Sequence, residues 1–205
     1  RMNTNYISPI SKVRPPGRWR FLPVLLMLVG SIFFFGDVQG QENKWDGSTD
    51  NNWNVGANWS LGSIPTSAHH VVIDINANIT FNVNATVDSL TINNSAIVTL
   101  TSGGLTKTLT IGSGGGVISS GSSLTLKGNG SGSGNKMNVG FSGTNVPMLI
   151  AGSLILTDVG SGATYNATNS LTTVSGTLKN DGTAGGTLAT ISSSAANLSF
   201  TSGGA

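Results

Sequence analysis

Cysteine is absent from the 205-residue sequence. That excludes disulfide staples, thiolate metal sites and a cysteine nucleophile, and leaves apolar burial and backbone hydrogen bonding to stabilise any fold. Charge is also scarce, at 9% of residues, and unevenly placed. Five of the ten basic residues (Arg1, Lys12, Arg14, Arg18, Arg20) precede residue 21, whereas from Gln41 onward five Lys face seven acids. The basic pI therefore belongs to the first forty residues, and it makes no case for nucleic-acid binding. Histidine occurs only as His69 and His70. Neighbours on an extended segment point to opposite faces, so the pair cannot readily ligate one metal. No apolar run reaches the roughly twenty residues that a membrane-spanning helix needs.

The longest such run, Phe21–Phe35, has fifteen residues and follows a basic stretch without an acid. Val38 and Gly40 then stand at −3 and −1 of a cleavage site before Gln41. This layout predicts a signal peptide over 1–40, export to the surface or medium, and membrane contact only through that cleaved leader. Arg1 before Met2 and the ending SFTSGGA, which stops in mid-rhythm, suggest a piece of a longer protein.

What remains is rich in Gly, Ser, Thr and Asn between short runs of Val, Ile and Leu, with no helical periodicity over a dozen residues. Strands are expected at Val71–Ile75, Ile79–Val83, Ser89–Ile92, Ile97–Leu100, Thr108–Ile111, Val117–Ile118, Ser123–Leu126, Met148–Ile150, Ser153–Leu156, Ser170–Val174, Gly176–Leu178, Thr187–Ile191 and Asn197–Phe200. GSGGG at 112–116 and GNGSGSGN at 128–135 are expected as turns. Aligning strands on Leu90, Leu109, Leu124, Leu154, Leu171 and Leu188 gives a loose period of roughly 15–20 residues, which suits one turn of a right-handed parallel β-helix over 71–205. Leu90/Ile92, Leu109/Ile111, Leu124/Leu126 and Leu154/Leu156 would point inward and stack. An antiparallel β-sandwich is the alternative all-β fold.

Between leader and body, residues 41–70 are non-repetitive. Trp45, Trp53 and Trp59 fall within fifteen positions among Asn and Gly turn formers. Two roles follow: an irregular plug that caps the first turn of the solenoid, or a platform on which sugar rings stack. The pattern W-x-G-[ST]…[DN]-x-W-[DN]-x-x-x-N-W-S-x-G-x-x-P-[TS]…V-V-I, carried by Trp45, Gly47, Ser48, Trp53, Asn54, Asn58, Trp59, Ser60, Gly62, Pro65 and Val71–Ile73, resembles the opening segment of large secreted and surface proteins of Bacteroidota and related bacteria. Ser89–Asn93, SLTIN, resembles a strand of the same proteins. Many of those carry a C-terminal sorting domain for type IX secretion, which these residues do not include. The resemblance implies an adhesin-like surface solenoid, and Asp88-Ser89-Leu90 matches that group's O-glycosylation pattern at Ser89.

Sites for chemistry are thin. Asp46, Ser48 and Asp50 alternate oxygen side chains as calcium loops do, but lack the closing bidentate Glu. The sparse acids Asp74, Asp88, Asp158 and Asp181 are not paired by spacing as glycoside hydrolysis requires. No G-x-S-x-G occurs, and GSGGG and GNGSGSG lack the Lys-Ser/Thr of phosphate loops. Asn58, Asn78, Asn84 and Asn166 head N-glycan sequons that this composition produces by chance. No catalytic residue, cofactor site or firm metal site is expected. The sequence therefore reads as an exported structural or adhesive scaffold segment whose partners would be surface glycans or other cells. The rivals are a carbohydrate-binding module using the three Trp residues, and the N-terminal rungs of a polysaccharide-acting β-helix enzyme.

Overall fold

The computed structural model describes residues 40–129, 134–157, 162–181, 189–192 and 198–200. The expected leader (apart from Gly40), Asp158, Leu188 and the centre of GNGSGSGN lie outside the described residues. The body is all-β: β1 (Gln41–Lys44), a single 3-10 turn (Gly56–Asn58), β2 (His69–Ile73), β3 (Ala77–Phe81), β4 (Ala85–Ile92), β5 (Ile97–Ser102), β6 (Lys107–Ile118), β7 (Ser123–Lys127), β8 (Met137–Phe141), β9 (Val146–Ile150), β10 (Ser153–Thr157), β11 (Ala163–Asn166), β12 (Ser170–Val174), β13 (Thr177–Asp181), β14 (Ala189–Ser192) and β15 (Leu198–Phe200).

Every ladder between these strands is parallel, and partners lie one turn apart in the chain. The chain is thus a parallel β-solenoid of about five turns, and the antiparallel sandwich is set aside. Each complete turn lays down three strand segments. The first face stacks the opening half of β4 on the opening half of β6, then β8, β11 and β14. The second stacks β1, β2, the end of β4, the end of β6, β9, β12 and β15. The third is the five-stranded sheet β3-β5-β7-β10-β13. β4 and β6 each turn the corner between the first two faces without a loop, and the register slips between Val87 and Ser89.

Alternation builds the core, because every second side chain of a strand points inward. On the third face Ile79, Leu100, Leu126 and Leu156 form one buried column, and Val98, Leu124 and Leu154 another. On the second face Ile73, Ile92, Ile118, Ile150 and Val174 stack, all fully buried. On the first, Leu109, Val139 and Tyr165 follow one another, and the Phe141 and Tyr165 rings meet edge to face at 5.7 Å.

Three expectations need correction. The turn period is not 15–20: successive members of the column from Ile73 to Val174 are 19, 26, 32 and 24 residues apart. The Leu alignment mixed the three faces, since Leu90 lies on the second, Leu109 on the first and Leu124 on the third. Leu171 points outward, half exposed, because Ser170, Thr172 and Val174 take the inward positions of β12. The two inward hydroxyls are satisfied together: Thr172 Oγ1 lies 2.6 Å from both Tyr165 Oη and Ser170 Oγ, and Ser170 Oγ donates to the Ala167 carbonyl. Lastly, Gly112–Gly116 is strand rather than turn. Its glycines are required by crowding. A Cβ on Gly115, which holds φ +77°, would meet the Pro147 carbonyl oxygen at 2.3 Å, and one on Gly116 would meet Met148 Sδ at 2.5 Å. β1, β8 and β11 are strands that the sequence pattern does not announce.

Candidate functional site

The tryptophan segment closes one end of the stack. Trp53 N donates to the Thr80 carbonyl and Thr80 N to that of Asn51, so residues 51–53 continue the third face beyond β3. The first strand, β1, continues the second face beyond β2. The outer edges of β2 and β3 are thereby paired, which reduces the open ladder that a solenoid end exposes. Trp45, Trp53 and Trp59 are at most 2% exposed. Trp59 lies edge-on between Trp45 (5.0 Å) and Trp53 (4.7 Å), and Trp53 rests on Phe81 (4.6 Å) of the first turn. Trp59 Nε1 donates to the Trp53 carbonyl at 2.9 Å, while Trp53 Nε1 has no partner among the described residues. The rings offer no face to solvent, so the sugar-stacking platform proposed for these three residues is not formed. Their geometry is that of a core.

Two buried asparagines hold the irregular chain around them. Asn43 donates to the Ser63 carbonyl and accepts from Leu61 N. Asn58 accepts from Thr49 N and Asp50 N, and donates to Asp50 Oδ1 and the Asn52 carbonyl. Side-chain amides serve here because each supplies two donors and two acceptor lone pairs to a backbone that has left its ladder. Burial also removes Asn58 as a glycan acceptor.

The calcium candidate is spent in the same network. Asp46 Oδ1 accepts from Ser48 N, and Ser48 Oγ donates to the Ala57 carbonyl. The Asp50 carboxylate accepts from Asn52 N, Asn52 Nδ2 and Asn58 Nδ2. These bonds, led by the Asn52 backbone N–H, hold the Asp50 carboxyl below its ordinary value. Asp46 and Asp50 are therefore turn acceptors in this structure and Ser48 a donor, and among the described residues no three His, Asp or Glu gather as a metal would need. Asp74 pairs with Lys44 at 2.6 Å and Asp181 with Lys179 at 3.0 Å. Ser89 is 7% exposed and its Oγ lies 2.5 Å from His70 Nδ1. The folded chain thus presents no open Ser89 hydroxyl for O-glycosylation. His69 Nδ1 accepts from Thr66 N.

The His70–Ser89 contact belongs to something the sequence does not reveal. On the second face His70, Ser89 and Gly115 are successive partners, Pro147 pairs with Leu171, and Gly115 lies against the Pro147 carbonyl. Beside this column run two hollows. One, of about 220 Å³, is lined by His70, Asp88, Ser89, Thr91 and the glycine run. The other, of about 260 Å³, is lined by Val117, Pro147, Leu149, Leu171 and Thr173. Gly114, Gly116 and Val117 border both, so the two form one groove that crosses successive turns. Asp88 makes no hydrogen bond or ion pair among the described residues.

Residues 44–140 match the model of a domain of unknown function (DUF8693). The matched stretch runs from the last residue of β1 into β8. It therefore includes the tryptophan cap and the polar half of the groove, but not Pro147, Leu149 or Leu171. No curated protein and no solved structure matches the chain.

Proposed function

We propose that this chain is an exported structural or adhesive scaffold segment of a larger bacterial cell-surface protein, with no catalysis in the region described. The observation that carries the reading is the capped, continuous stack. Its inward columns are mostly aliphatic, its outward strand positions are mostly Thr, Ser, Asn and Gly, and two of its acids are tied to lysines. Such a body extends by adding turns and presents repeated, uncharged surface. Export is supported by the junction at residue 40. Gln41 opens β1, its N–H donates to the Ala68 carbonyl at 3.1 Å, and cleavage after Gly40 would leave every described strand intact.

The test is expression with the leader in a bacterial host, followed by mass spectrometry of the protein recovered outside the cell. An N-terminus at Gln41, or its pyroglutamate, is the expected result. A mature chain that retains Phe21–Phe35 refutes export by cleavage. Beads coated with the recovered protein should adhere to cells, and failure to adhere to bacterial or host cells refutes the adhesive role.

A further inference from the structure

The groove on the second face points to a ligand. We propose that it binds a neutral glycan chain laid along the solenoid axis, with hydroxyls at the His70–Asp88–Ser89 end and a ring C–H face over Pro147, Leu149 and Leu171. The proposal rests on the scaffold reading and names the ligand class through which an adhesive surface would hold.

Four observations converge on it. The groove is built rather than incidental: its two hollows share Gly114, Gly116 and Val117, and at Gly115, packed against Pro147, any side chain would strike the Pro147 carbonyl from a left-handed backbone, so none can stand there without moving a turn. Its two ends differ in chemistry. At one, Asp88 offers a carboxylate that no described protein group uses, beside the paired His70 and Ser89. At the other, Leu149 and Leu171 stand 40% and 48% exposed beside Pro147, an aliphatic ledge without charge. No Lys or Arg lines either hollow, so nothing there neutralises an anionic ligand, and Asp88 repels one. Finally, the floor is the face of a sheet whose backbone groups are taken up in ladders. A peptide strand binds by pairing with a free edge, and this surface has none to give. A pyranose chain is uncharged, hydroxyl-rich on its rim and apolar on its ring faces. Carboxylate acceptors and an aliphatic ledge match those two surfaces.

The experiment is calorimetric titration of the protein with cellohexaose, mannohexaose and xylohexaose, with a Leu/Val-rich extended peptide as comparison. Saturable binding of at least one oligosaccharide is expected. Asp88→Asn should weaken it about 10- to 100-fold, the usual worth of a hydrogen bond to a charged group. Leu171→Glu, at a half-exposed position, should abolish it, and Thr99→Ala on the third face should leave it unchanged. Thermal melts accompany each variant, with Leu149→Ser replacing Leu171→Glu if the latter unfolds. Absence of binding to all three sugars, binding indifferent to both groove substitutions, or peptide binding in their place overturns the proposal. Failure here is separable from failure of the scaffold reading. If coated beads still adhere to cells after Leu171→Glu, and no sugar binds, the groove assignment fails alone. If sugars bind but the beads do not adhere, the adhesive role fails and the groove stands.

Discussion

Replacing Trp59 by Ala should unseat the cap. The ring is 2% exposed and is gripped edge-on by Trp45 and Trp53, with its Nε1–H on the Trp53 carbonyl. Truncating a buried Trp costs about 3–5 kcal/mol, a figure that includes the cavity and the lost ring contacts. A urea slope of about 1–3 kcal/mol per molar then places the midpoint roughly 2 M lower. In a stacked-turn protein each turn contacts only its neighbours, so the loss should be local first. Proteolysis should begin near Val71–Ile75 while circular dichroism still reports the distal strands. The hydrogen bond can be isolated with Phe replacements. Trp59→Phe forfeits a buried bond and should cost about 1–2 kcal/mol beyond Trp53→Phe, which forfeits none, since Trp53 Nε1 is unpartnered among the described residues. Urea melts of the three variants against wild type decide the matter. A Trp59→Ala midpoint within the equivalent of about 0.5 kcal/mol of wild type would refute the cap.

Other consequences can be checked alongside. Burial, opposed by the Thr172 and Ser170 hydroxyls, pushes the Tyr165 phenol up to about 12 from 10.0. The unfolded chain therefore loses this proton first, and stability should fall by about 2–3 kcal/mol as pH rises from 10 towards 12, a slope that Tyr165→Phe removes in alkaline melts. Asp50 has the opposite sign: its depressed carboxyl contributes stability above its ordinary value of 3.8, lost as pH falls through the lower folded value. Acid titration of stability should show that loss in wild type and not in Asp50→Asn. Among the glycines, Gly115→Ala combines positive φ with a backbone clash and should cost at least about 2 kcal/mol in a urea melt. Gly140→Ala, with nothing within 4 Å of its Cβ and no positive φ, should be neutral or stabilising by up to about 1 kcal/mol.

The sequence carries the fold class because β-branched and aliphatic residues alternate with Ser and Thr over five-residue stretches, and that alternation survives at Leu124/Leu126 and Leu154/Leu156, where both residues point inward as expected. It hides the turn length. The next Leu-x-Ile motif along the chain sits on a different face, so the shortest spacing in sequence measures part of a turn and not a whole one. Leu171 misleads because inward Thr172 is made tolerable by Tyr165, a partner seven residues away that no local pattern predicts. The glycine run reads as punctuation for want of side chains, although their absence is what lets Asp88, Pro147 and Met148 pack against it. The tryptophans announce a cluster by density alone. Asn58, the hydrogen-bond centre of that cluster, looks like any other turn residue. The groove could not have been read at all, because His70, Ser89, Gly115, Pro147 and Leu171 meet only once the ladder register is known.

Because each turn is tied to the next by hydrogen bonds running along the axis, a pull on the two ends of the chain would unreel it rather than tear it across. The step from Ile150 to Val174 is 24 residues. At about 3.3–3.6 Å per extended residue, releasing that turn lengthens the chain by roughly 80 Å. Neighbouring steps of 26 and 32 residues would give longer increments. A tether built this way behaves as a graded shock absorber, surrendering length in unequal instalments while the turns still wound keep their grip.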